Sequence, residues 1–161
     1  MVKGIYKENL GDIMNKFMQM AIEEARLGIN SGHGGPFGCV IVKDGKVIGR
    51  GHNKVLLLND PTSHGEVTAI RDACKNINSF DLSGSELYTT GYPCPMCMGA
   101  ILWANIEKIY YGCNTTDTEI IGFRDKKFYE DDHEKMLVEL DRNECLKLYE
   151  EYNKIENKTN Y

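Results

Sequence analysis

The chain has 161 residues, 42% hydrophobic and 27% charged, with a formal net charge of -5, a mean hydropathy of -0.41 and six cysteines. That length suits one globular domain able to bury a core of its own. The longest apolar run, residues 100–104, has five residues, and 39–42 and 55–58 have four each, far short of the ~20 that cross a bilayer, so a membrane partner is not expected. Residues 1–129 carry 14 basic and 14 acidic side chains, whereas residues 130–161 carry 5 and 10. No clustered Lys and Arg mark a phosphate-binding face, so a nucleic acid partner is not expected either, and small uncharged ligands fit the balance better. The N-terminus has Lys3 and Lys7 but no apolar stretch behind them, which implies a cytoplasmic protein.

Residues 10–27 place Ile13, Met14, Phe17, Ala21 and Ala25 on one face at helical spacing, with Gly28 as a stop. Two β-branched runs, 37–42 and 47–51, flank Asp44-Gly45, the pair favoured in a type I′ hairpin turn. Ser63 is placed to cap a helix carrying Val67, Ile70, Cys74 and Ile77 on one side. Residues 86–90 then read as a strand, 95–104 as a short helix with proline at its start, and 108–113 as another strand. Residues 136–140 suit a further short strand, and Asp141 with Glu144 a capping box opening a last helix. The order predicts an α/β layered domain with a mixed sheet, spanning residues 1–155, followed by a short tail at 156–161.

The densest chemistry is His64-Gly65-Glu66, followed by Pro93-Cys94-Pro95-Met96-Cys97. One imidazole and two thiolates can hold Zn²⁺ and leave a fourth tetrahedral position for water, the arrangement of a catalytic zinc site. Cys94 and Cys97 are three apart at a helix start, so they face the same way, and the helix N-terminus favours their thiolate forms. Glu66 lies two residues beyond His64, placed to take a proton from a metal-activated water. A closed structural site would need a fourth ligand, for which Cys113, His52 and His33 qualify by residue type alone. A redox C-x-x-C pair would have no use for His64 and Glu66. Cys39, Cys74, Cys113 and Cys145 stand singly and read as small packing residues. The run 31–38 is glycine-rich but lacks the ending of a phosphate loop; it reads as a tight turn delivering Phe37.

H-x-E paired with P-C-x-x-C is the signature of zinc nucleobase deaminases. With Gly34-Gly35-Pro36-Phe37-Gly38, Asn53, Asn59-Asp60-Pro61-Thr62, Trp103-Ala104 and Gly122-Phe123 added, the chain resembles the cytidine deaminase superfamily and, within it, the bacterial guanine deaminases. The resemblance implies a three-layer α/β/α fold with a five-stranded mixed sheet, one Zn²⁺ per subunit on His64, Cys94 and Cys97, and a purine base as substrate. It further implies Glu66 as proton shuttle, Asp125 as a second acid chosen over Asp117, Asp131 and Asp132, and Phe37, Asn53, Gly65 and Trp103 around the base. A homodimer is implied too, with Tyr161 of the tail reaching the partner's site. Deaminases of the same fold acting on tRNA adenosine, guanosine, cytosine or aminotriazines remain alternatives, as does a zinc-stabilised binding module without turnover.

Overall fold

The structure is a computed structural model that describes residues 5–7 and 13–161. Its elements run β1 (Ile5–Lys7), β2 (Ile13–Asn15), α1 (Lys16–Asn30), β3 (Gly38–Lys43), β4 (Lys46–His52), α2 (Val55–Leu58), α3 (Gly65–Ile77), β5 (Ser85–Gly91), α4 (Pro95–Trp103), β6 (Lys108–Cys113), α5 (Thr115–Ile120), α6 (Asp125–Glu130) and α7 (Arg142–Asn153). Contacts divide the chain into two compact units, residues 1–129 and 130–161.

The first unit is built on a four-stranded mixed sheet in the order β4-β3-β5-β6, with β3 antiparallel to both β4 and β5, and β5 parallel to β6. Strand alternation sorts the side chains into two layers. Cys39, Ile41 and Leu87 point to one face and form a core with Ala69 and Ala73 of α3 and Ile101 of α4. Val40, Val42 and Tyr88 point to the other and pack with Ala21 of α1. Ile41 and Leu87 are fully buried, each contributing roughly 1.5–3 kcal/mol from apolar surface removed from water. The result is helix, sheet, helix, with the residues at the carboxyl ends of β4 and β5 leading directly into the chemistry-bearing segments.

Several local expectations hold and others are corrected. The hairpin forms, with Asp44 and Gly45 both at positive φ (51° and 75°), as a type I′ turn requires. The first helix starts later and ends later than residues 10–27: Asn15 caps it, its side chain accepting from the amides of Phe17 and Met18 at 2.9 and 3.2 Å, and Ile13 and Met14 lie in β2. Residues 10–12 lie outside the described residues. Gly28 is inside α1 because a side chain there would strike His52, 2.7 Å from its Cδ2; it serves packing, not termination. His64 rather than Ser63 is the N-cap of α3, and Ser63 instead donates to Asp60 Oδ2 at 2.8 Å.

The second unit contains α7 and a 3₁₀ turn at Glu134–Met136. Residues 137–140 form no strand, so the sheet has four strands among the described residues. Asp141 stands at the N-cap of α7 with φ 53° and makes no capping bond, while Glu144 pairs with Lys147 at 2.7 Å, so the capping box does not form. No described helix is long and apolar enough to cross a membrane.

Candidate active site

Two helix starts meet to make the site. His64 caps α3 in extended backbone conformation, and Cys94 caps α4 in the same way, with Pro95 fixing the first helical position and Cys97 in the first turn. His64 Nδ1 lies 3.5 Å from Cys94 Sγ and 3.5 Å from Cys97 Sγ. A tetrahedral zinc with bonds of about 2.0 Å to nitrogen and 2.3 Å to sulfur separates such ligands by about 3.5 Å, so the donor set fits Zn²⁺ in both type and spacing. The three ligand atoms all lie within 4.8 Å of one another, and among the described residues this is the one such cluster.

The three ligand side chains perturb one another strongly, and Cys94 is the one held as a thiolate. Cys97 donates to Cys94, which with His64 lowers the Cys94 thiol to about 4, and the same bond with burial raises Cys97. The hydrogen bond to Cys94 raises His64. The Tyr129 hydroxyl braces the cysteine turn from α6, donating to the Pro93 carbonyl at 2.6 Å.

His64 opens on a cavity of about 320 Å³ whose lining also includes Glu66, Asn53, Phe37 and Asp125. Glu66, in the first turn of α3, is 5% exposed, and burial pushes its carboxyl up to about 7. Asp125, at the start of α6, is also raised by burial. Of the other acids, Asp117 is engaged in the capping box of α5 with Asn114, and Asp132 accepts the Glu134 amide in the second unit, where Asp131 also lies. Phe37 meets Phe123 edge to face at 4.9 Å between centroids, giving the cavity an aromatic wall. The Asn53 amide donates to the Phe37 carbonyl at 2.9 Å, and its side-chain oxygen accepts from the Val55 amide at 3.1 Å.

Three expectations are corrected. Trp103, at the end of α4, is 68% exposed and does not line this cavity; the helix turns it to the outer side, away from the first-turn cysteines. His33 and His52 are not metal ligands: they hydrogen-bond to each other at 2.8 Å. Cys113 and Cys145 are exposed instead of packed, whereas Cys39 is buried. Gly65 is buried where a Cβ would lie 3.0 Å from the Phe37 carbonyl oxygen, so it packs on backbone. Tyr161 is 79% exposed in the second unit. Val55, Leu56, Tyr92 and Arg124 also line the cavity and were not singled out in the sequence. Arg124 could have been found from its place beside Phe123 and Asp125.

A mixed sheet carrying a His/Cys/Cys trio on two helix N-termini, with a buried carboxyl beside it, defines a zinc hydrolase of the deaminase type. The chain belongs to the family of the cytidine and deoxycytidylate deaminase zinc-binding region, which matches residues 12–113. It is 49% identical over 115 residues to the guanine deaminase of Bacillus subtilis, an alignment covering 71% of this chain and 74% of that protein. The X-ray structure of guanine deaminase from Bacillus subtilis superposes with a TM-score of 0.85 at 41% identity, covering 92% of this chain and 99% of that one. The tRNA-specific adenosine deaminase of Aquifex aeolicus is 42% identical over 95 residues, covering 59% of this chain and 62% of that protein.

Proposed function

We propose that this protein deaminates guanine to xanthine, consuming water and releasing ammonia. The observation that carries the reading is the convergence of His64, Glu66, Asp125 and Asn53 on one cavity, with the ligand atoms of Cys94 and Cys97 within 4.8 Å of that of His64, together with the 49% identity to a guanine deaminase. Zn²⁺ held by the trio would supply a hydroxide nucleophile at neutral pH.

The chain's own residues do the rest. Because Asn53 Oδ1 is engaged by the Val55 amide, the Nδ2 group presents donors to the cavity. Guanine offers two acceptors there, O6 and N7, whereas adenine replaces O6 with an amino donor, so this orientation favours a 6-oxopurine. Phe37 and Phe123 flank the flat ring. Glu66 takes a proton from the attacking water and gives it to the ring nitrogen beside the amino-bearing carbon; a second proton, passed by Glu66, turns the amino group into ammonia as the C–N bond breaks. Asp125 accepts from the exocyclic amine and holds it in line. Gly65 leaves its amide beside the reacting ring.

We infer further that the enzyme is a cytoplasmic homodimer. Met96, Leu102 and Trp103 make α4 apolar on an exposed side, and a second copy covering them would explain why Trp103 faces outward. The exposed apolar run Met136, Leu137, Val138 and Leu140 suits an exchanged segment that supplies the fifth strand and brings the partner's tail, with Tyr161, to the site.

An ammonia-release panel with guanine, guanosine, adenine, cytosine and ammeline tests the activity. Guanine should give the strongest signal; no release above a Glu66→Ala control on any of them overturns the reading. The tRNA adenosine reading, favoured by the identity to tRNA-specific deaminases, would show inosine formation in a tRNA anticodon stem and none of this release. The absence of a positive excess in residues 1–129 argues against it.

A further inference from the structure

His33 and His52 have no part in metal binding, yet they sit in a continuous chain of hydrogen bonds. His52 is buried at the end of β4, and its Nδ1 lies 2.9 Å from Glu24 Oε2 of α1. The other carboxylate oxygen of Glu24 accepts from Arg50 Nε at 2.7 Å. His52 Nε2 faces His33 Nδ1 at 2.8 Å, and the two rings stack with centroids 5.1 Å apart. A carboxylate is acceptor-only, so Nδ1 of His52 carries the proton and its Nε2 has a lone pair; Nδ1 of His33 is then the donor. With both rings neutral, this is the one proton arrangement that satisfies the whole chain.

The far end of this chain leads to the cavity. The carbonyl of His33 accepts from the amides of both Leu56 and Leu57, at 3.0 and 3.1 Å. These belong to the single turn of α2, which is too short to be stable alone and whose Val55 and Leu56 line the cavity. Val55 is also the residue that orients the Asn53 amide.

We propose that Glu24, His52 and His33 are positioning residues for substrate affinity: Glu24 sets the tautomer of His52, His52 fixes the His33 ring, and the His33 carbonyl holds α2 against the base. This rests on the proposed guanine deaminase reading only for the identity of the substrate. None of the three lines the cavity, so their effect falls on binding and not on the chemical step.

Two substitutions separate positioning from bulk packing. An asparagine amide nitrogen can occupy the place of histidine Nδ1, so His33→Asn keeps the donor to His52, and His33→Leu removes it. In His33→Leu, KM for guanine should rise about tenfold with kcat within about twofold, the worth of one hydrogen bond lost from binding alone, while His33→Asn stays close to the parent. Amide hydrogen exchange at Leu56 and Leu57, followed on the zinc-loaded protein without substrate, should accelerate about tenfold in His33→Leu and not in His33→Asn. A long-range ¹H–¹⁵N spectrum of the unmodified protein should show His52 protonated at Nδ1 and bare at Nε2. Unchanged exchange in His33→Leu, equal acceleration in both variants, accelerated exchange with unaltered KM, or His52 protonated at Nε2 overturns the proposal. If the parent protein fails to turn over guanine while the exchange and spectrum are as expected, the substrate assignment falls and the positioning chain stands.

Discussion

Gly34 packs directly on the side chain of Asn53: a Cβ built on Gly34 would fall inside contact distance of the Asn53 amide oxygen, whose carbon would be 2.9 Å away. Nothing larger than hydrogen fits there without turning the amide. Gly34→Ala should therefore retain zinc and fold while losing about 100-fold in kcat/KM, the scale of a displacement near 1 Å in a reacting geometry. Steady-state kinetics beside metal analysis would check this; an active Gly34→Ala enzyme would mean that Asn53 is not a base-binding group.

Asn53→Asp tests the donor argument from the other side. A carboxylate has no donor for O6 or N7 of guanine, so affinity should fall by about 5–150-fold for about 1–3 kcal/mol of lost recognition. Binding of a non-hydrolysed guanine analogue, measured by calorimetry, reads the change without involving turnover.

Glu66→Gln keeps the shape of the side chain and removes its ability to cycle a proton. Turnover should drop by about 10²–10⁴-fold with one zinc per chain retained. Near-normal ammonia release from this variant would sink the assignment of Glu66 as proton shuttle.

Metal removal should be visible in stability as well as activity, because the ligands come from α3 and α4 and the ion ties their starts together. A ligand that binds only the folded state at 100 times its Kd stabilises by about 2.7 kcal/mol. Chelation should lower Tm and abolish turnover, and zinc should restore both. A Cys97→Ser variant should show the lower Tm without further response to chelator.

Trp103→Glu places a charge on the exposed apolar side of α4. If a second copy covers that side, sedimentation should shift from dimer toward monomer with the zinc content intact. A variant that sediments as the parent does would leave Trp103 outside the interface.

The elements built from local patterns were largely legible: the Asp44-Gly45 turn, β6 with its bounds, and the ligands His64, Cys94 and Cys97 all follow from residue types at short spacing. The errors arose where tertiary contact overrides local pattern. Gly28 reads as a helix stop, but its meaning is the His52 ring beside it. Trp103 resembles a pocket residue, yet its helix face, invisible in a stretch as uniformly apolar as Pro95–Trp103, turns it outward. Short helices such as α2 carry no periodicity long enough to detect, and α2 owes its place to a carbonyl more than twenty residues upstream.

The division of ligands between α3 and α4 ties the metal site to the sheet on which both helices pack. His64 follows α1 and the hairpin and stands at the start of α3, which packs on β4 through Gly49 and Gly51. The cysteines come later in the chain, directly after β5, and the pairing of β5 with β3 sets where they stand. The metal site and the register of β5 are therefore coupled: a slip of one residue against β3 would turn the strand's side chains to the opposite faces and shift the turn that carries Cys94 and Cys97 away from His64.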